Sequence, residues 1–241
     1  MVDWIDMRPG RPTKSIIALI VAGLAIGPRT STYVADAATT TKPNNVQPRL
    51  RDLIELADQC NLTGSVQLRV SRTFTNERVI LTRPCTVTLD SSVRLTLVNV
   101  TMATRGLSFT RGTKPLPGSG TELVLQNVTL IATDQDAIGV DLAGPNDTIK
   151  VQVATIDAGQ SVSLVVGGKN LPGSGGRVEL SNVTLRADRS PAGTVTIRAG
   201  MQGGGRIQAA LVTVAGPGGS IIAAENCTFT FVTGVDRNRL C

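Results

Sequence analysis

Apolar and polar residues alternate with period two along much of the chain, and at six points the alternation slips by one residue. Leu123 and Leu125 lead to Asn127, after which the apolar residues are Val128 and Leu130. Leu95 and Leu97 lead to Asn99, then Val100 and Met102; Val178 and Leu180 lead to Asn182, then Val183 and Leu185. Ile222 and Ala224 lead to Asn226, then Cys227 and Phe229, and two further slips turn on apolar residues, Val153 and Leu211. A strand shows alternate residues to opposite faces, so a one-residue slip turns the next strand inside out unless the chain bends there. Asn tolerates the left-handed backbone that such a bend uses. The pattern predicts short strands joined pairwise by corners at Asn99, Asn127, Val153, Asn182, Leu211 and Asn226.

From Asn99 to Leu211 the step from one corner to the next is nearly constant, and the closing step, Leu211 to Asn226, is only about half as long. Lys114 to Leu130 (KPLPGSGTELVLQNVTL) and Lys169 to Leu185 (KNLPGSGGRVELSNVTL) agree at 11 of 17 positions, and the second copy lies two steps beyond the first. Further strands ending at or near glycine are predicted over 106–112, 138–144, 161–167 and 194–200. A bent strand pair, another short strand and a Gly-rich loop in every full step describe the coils of a parallel β-helix. Such coils stack at roughly 4.8 Å and bury one another's apolar faces. The short closing step predicts a truncated last turn. Residues 62–90 hold strands at 66–70, 78–81 and 86–89 but no clear corner. The LPGSG loops and Gly203 to Gly205 precede no helix, so they are expected to connect coils and not to cradle phosphate.

On these corners and repeats the chain resembles the right-handed parallel β-helix, or pectin-lyase-like, superfamily over about residues 62 to 232. Fold expectation: an all-β, single-domain right-handed parallel β-helix at 60–241, with a short N-terminal capping helix at 49–59. In that helix Leu50, Leu53, Ile54 and Ala57 take helical spacing. A β-sandwich also suits short alternating strands, but the long period and the slipping corners argue against it.

Ahead of the helix, Arg8, Arg11 and Lys14 precede an apolar run from Ile16 to Ile26 and then Ala35-Asp36-Ala37. These are the parts of a cleaved signal peptide, 1–37, followed by a disordered Thr/Pro/Asn lead-in, 38–48. The run is too short to span a bilayer, so no stable membrane insertion is expected, and the protein is expected outside the cell. Cleavage would remove the sole Trp and the sole Tyr and leave a net charge of +5 out of the whole chain's +6. A basic secreted protein favours acidic polysaccharide or an anionic cell surface. Nucleic acid is not expected, because no aromatic platform interleaves the basic residues.

Four cysteines fall at the two ends of the predicted stack. In an oxidising compartment the expected pairs are Cys60 with Cys85 and Cys227 with Cys241; four free buried thiols are the alternative. Six N-x-T sequons occur. At Asn99, Asn127, Asn182 and Asn226 the Asn is expected to be structural, forming a ladder along the corners. Asn61 and Asn146 are the expected glycosylation sites.

Candidate chemistry is thin. Asp134, Asp136, Asp157 and Asp188 follow corners and could line one side of the stack with Arg186, Arg189 and Arg198. Such a set would suit calcium binding or acid/base work, while ordinary solvated turns account for the same residues. Thr133 to Ile138 (TDQDAI) and Val195 to Arg198 (VTIR) resemble acidic and Arg-x-Lys segments of polygalacturonases. The carry-over stops at Ala158-Gly159-Gln160-Ser161, where paired aspartates would stand, at Ala199 in place of the Lys, and at the absence of any His. A pectate-lyase-like mechanism would need only a calcium cluster and an Arg base, for which Arg198 is the candidate. The expectation is a secreted, non-catalytic β-helix with a binding or structural role, needing no cofactor. The alternative is a lyase or glycoside hydrolase acting on uronic-acid polymers, with calcium as cofactor in the lyase case.

Overall fold

The computed structural model describes residues 52–112, 120–133, 135–144, 146–167, 175–200 and 204–235. The chain divides into the units Met1–Gln47 and Pro48–Cys241, and every described residue belongs to the second. The signal-peptide and lead-in expectations, together with Leu50, Asp134, Cys241 and all but the last glycine of each LPGSG motif, lie outside the described residues.

The unit is a parallel β-solenoid built from two sheets. One stacks β1 (Ser65–Leu68), β4 (Cys85–Leu89), β7 (Leu107–Arg111), β9 (Ala137–Leu142), β11 (Ser161–Val166), β13 (Thr194–Arg198) and β15 (Gly219–Ala223) in that order. The other holds β2 (Arg72–Thr75), β3 (Arg78–Ile80), β5 (Arg94–Val98), β6 (Thr101–Thr104), β8 (Glu122–Ala132), β10 (Thr148–Asp157), β12 (Arg177–Arg186), β14 (Arg206–Ala215) and β16 (Asn226–Thr233). We call them the short-strand and bent-strand sheets. All their pairings are parallel, each coil hydrogen-bonding to the next.

Alternation decides what faces inward. Leu97, Leu125, Val151, Leu180 and Ala209 fall in one register column, and all are buried in a single apolar core. After each corner Val100, Val128, Ala154, Val183 and Val212 form a second buried column. The bends sit where the slips predict: Asn99, Asn127, Val153, Asn182 and Leu211 all have φ between 51 and 55°. Asn226 is not a corner. It opens β16 opposite Arg206, and the last bend falls at Phe231, φ 53°. The slip near Asn226 marks the passage from β15 to β16 through Ala224 and Glu225, which imitates a corner in the sequence. An unforeseen first corner stands at Asn76, φ 59°. There the residue that continues the inward column is Glu77, whose carboxylate accepts a hydrogen bond from Leu53 N at the start of the helix, 2.9 Å.

The helix, α1 (Leu53–Thr63), begins and ends four residues later than expected. Asp52 caps it by accepting from Glu55 N at 2.8 Å, and Gly64 closes it at φ 74°, its N–H reaching Cys60 O. The buried stripe is Leu53, Leu56, Ala57 and Cys60; Ile54, expected inside, is 56% exposed. This stripe packs on β1, β3 and β4 and covers the open first coil, which would otherwise present free strand edges. Cys60 and Cys85 form a disulfide that fastens the helix to β4. Cys227 is also disulfide-bonded, and no described cysteine is free. No helix among the described residues is long and apolar enough to cross a membrane.

Candidate functional site

The corner asparagines make only a partial ladder. Asn99 Nδ2 donates to Asn76 Oδ1 and Asn127 Nδ2 to Asn99 Oδ1, each at 2.8 Å. Val153 then interrupts it, and Asn182 stands between Val153 and Leu211. The threonines two residues past each bend are more regular: Thr101, Thr129, Thr155, Thr184, Thr213 and Thr233 form one register column. Where an Asn corner precedes such a Thr, a sequon results. Of the two residues expected to carry glycans, Asn61 is engaged: its Nδ2 donates to Ile80 O and its Oδ1 accepts from Thr82 N at 2.7 Å. Asn146 is exposed in a left-handed turn.

Of the acidic residues that the sequence grouped, Asp157 and Asp188 meet in one network with Arg186 and Arg189, Arg186 standing opposite Asp157 in register, while Asp136 takes a partner in its own turn. Asp157 pairs with Arg189 at 2.8 Å, and Arg189 also donates to Ala132 O at 3.0 Å. Asp188 pairs with Arg186 at 2.8 Å, and that hydrogen bond holds its carboxyl below the usual range. Asp136 accepts from the Thr133 hydroxyl within its own turn. Asp136 and Asp188 are thus occupied locally, as solvated turn residues would be, whereas Asp157 at the end of β10 keeps Oδ1 buried without a partner. Among the described residues no three acidic, His or Cys side chains lie close enough together to hold a metal ion.

Arg198 lies elsewhere, on the outer face of the short-strand sheet. Its Nε is buried without a hydrogen-bond partner, and it forms no ion pair among the described residues. Register places Asp141, Val165, Arg198 and Ala223 side by side in one outward column. Beside it runs a column of small side chains, Ser108, Gly139, Ser163 and Thr196. The first column, with Ser163 and Thr196 from the second, lines a groove of about 670 Å³ that continues past Gly167 and Gly200. A guanidinium with unused donors beside hydroxyls is suited to hold an oxyanion flanked by sugar-like hydroxyl groups. Sequence reasoning singled out Arg198 but not Asp141, Ser163 or Thr196, which only strand register brings to it.

A second feature was invisible in the sequence. Asp147, 0% exposed, meets Arg111 at 2.6 Å and also accepts from Thr121 N and Gly144 N, each at 2.7 Å. Burial raises its carboxyl above the usual range, while these donors pull it down. The cluster ties the chain before β8 to the chain before β10. Its carboxylate is fully used, so the role is structural.

The described residues contain 13 Lys or Arg and 13 Asp or Glu, so the chain's excess of +6 lies wholly outside them. On the bent-strand sheet the charges neutralise one another along a ladder in which Glu122 pairs with Arg94 and Lys150, and Glu179 with Lys150 and Arg177. Among the described residues, attraction to an acidic partner therefore comes from individual unpaired arginines. No family model, curated protein or solved structure matches this chain.

Proposed function

We propose that this chain is a secreted β-helix protein of the pectin-lyase-like kind that binds an acidic polysaccharide without cutting it. The observation that carries this reading is Arg198, a cation with a buried, unpartnered Nε in a groove lined by Ser163 and Thr196. An unsatisfied buried donor calls for a partner, and a carboxylate on a polymer lying along the groove supplies one. The groove runs across stacked coils, so successive sugar units meet successive strands. The disulfide Cys60–Cys85 accords with an oxidising location.

A lyase would use the same arginine as its base. Among the described residues one carboxylate, Asp141, shares the groove with Arg198, and Asp136, Asp157 and Asp188 stand away from it with other partners. A calcium-assisted proton abstraction needs several acidic ligands beside the base. Binding is therefore the better-supported reading. Its test is a calorimetric titration of the protein with oligogalacturonates. Arg198→Gln should weaken binding by about tenfold or more, the worth of a charge-assisted hydrogen bond. Asp141→Asn should strengthen it slightly by removing a like charge. Equal affinity in wild type and Arg198→Gln would refute the assignment.

A further inference from the structure

Two arginines on neighbouring strands are set against each other. Arg177 opens β12 and Arg206 opens β14, and the register pairs them directly. Their Cα atoms are thus about 4.8 Å apart, the spacing of hydrogen-bonded strands. Each follows two glycines, Gly175-Gly176-Arg177 and Gly204-Gly205-Arg206. Like charges directly opposite in a sheet are destabilising. In the same column the earlier members are Arg94, Glu122 and Thr148, which avoid that clash. Arg206 has no ionic partner among the described residues, and Arg177 reaches only Glu179, at 3.0 Å, with its side chain 48% exposed.

The pair borders a pocket of about 360 Å³ with Asn146, Thr148, Gly175 and Gly204. Asp147 also lines it, but its carboxylate is consumed by Arg111, Thr121 N and Gly144 N. The wall is held close: a Cβ at Gly205 would fall 2.1 Å from Gly200 O, so only glycine allows the turn to close so tightly before Arg206. Nearby, the Gly204 N–H already donates to the Glu225 carboxylate, an oxyanion supplied by the chain itself.

We propose that the Arg177–Arg206 pair is a binding site for a tetrahedral oxyanion, a sulfate or phosphate group, that bridges the two guanidinium groups. The site is separate from the Arg198 groove and does not depend on that reading. Two forks converging from adjacent strands can each give paired N–H donors to one anion, and the anion removes the repulsion between them. A tetrahedral group offers oxygens to both forks at once, whereas a carboxylate satisfies one.

Thermal unfolding of the full chain tests this in low salt, with sodium sulfate, phosphate or acetate added and sodium chloride at matched ionic strength as reference. Glucose 6-sulfate and glucose 6-phosphate serve as further arms to separate an ester on a sugar from the free ion. Sulfate or phosphate should stabilise the wild type saturably beyond chloride and acetate. In Arg177→Gln and Arg206→Gln the half-saturating concentration should rise about tenfold or more; in Arg105→Gln, an exposed arginine away from the pocket, it should not change. Without anion, Arg206→Gln should melt about 1–3 °C above wild type, because the repulsion is gone. Arg177 and Arg206 are both exposed, so these substitutions preserve folding. Stabilisation no greater than with chloride, or equal loss in Arg105→Gln, would overturn the site.

Discussion

Val153 occupies a left-handed bend, φ 51°, between Asn127 and Asn182, with its side chain 51% exposed. A β-branched residue rarely takes that backbone, and the strain costs on the order of 1–3 kcal/mol. Little buried surface would be lost on its replacement. Relief of part of that strain in Val153→Asn should therefore raise stability by about 1–3 kcal/mol in urea unfolding. The same change should extend the ladder from Asn127 toward Asn182. A neutral or destabilising result would show that the bend is held by packing and not by residue preference. Asp147 supports a second prediction. Arg111→Met leaves a buried carboxylate without its cation and should cost about 3–5 kcal/mol. Burial raises the folded-state pKa of Asp147, so the folded protein keeps that proton to higher pH than the unfolded chain. The stability this contributes is present below the ordinary carboxylate value and is lost as pH rises through the folded one. Removing Arg111 raises the folded value further, so the variant's deficit should be smaller at pH 4 than at pH 8. Urea titrations at the two pH values read this directly.

The elements were legible in the sequence where inward positions are apolar on both sides of a bend. Val100, Val128, Ala154, Val183 and Val212 keep that rule, and the five corners before them were placed correctly. The rule failed at both ends of the stack. At the first coil Glu77 takes the inward position because its carboxylate serves the N-terminus of α1, which hid the corner at Asn76. At the last coil the corner residue is Phe231, 78% exposed, and nothing in its side chain announces a bend. The start of α1 was missed because its cap is Asp52 and its stripe includes Cys60, also a disulfide partner. That disulfide spans 25 residues and closes the first coil over its helix. Cys60→Ser with Cys85→Ser should lower stability by about 2–4 kcal/mol. Hydrogen exchange should quicken first in α1, β1 and β4, while exchange in β10 and β12 follows global stability alone; uniform quickening would contradict the fastening role.

For the molecule as a stack of coils, function was harder to read than fold because register brings together residues far apart in the chain. Asp141, Ser163 and Arg198 become neighbours only once β9, β11 and β13 are aligned. Arg111 and Asp147, 36 residues apart, meet for the same reason. Position after similar corners was a partial guide, since Asp157 and Asp188 share Arg186 and Arg189 while Asp136 takes a partner within its own turn. Because the described residues balance in charge, the unpaired arginines among them, Arg198 foremost, become the points where we propose an acidic chain is held. The most direct test is to incubate the protein with a panel of acidic polysaccharides, with and without calcium, and to follow both retention of the protein and new reducing ends. The account predicts retention that weakens in Arg198→Gln and no new ends from any substrate. New reducing ends that vanish in Arg198→Ala would contradict it and make the groove an active site.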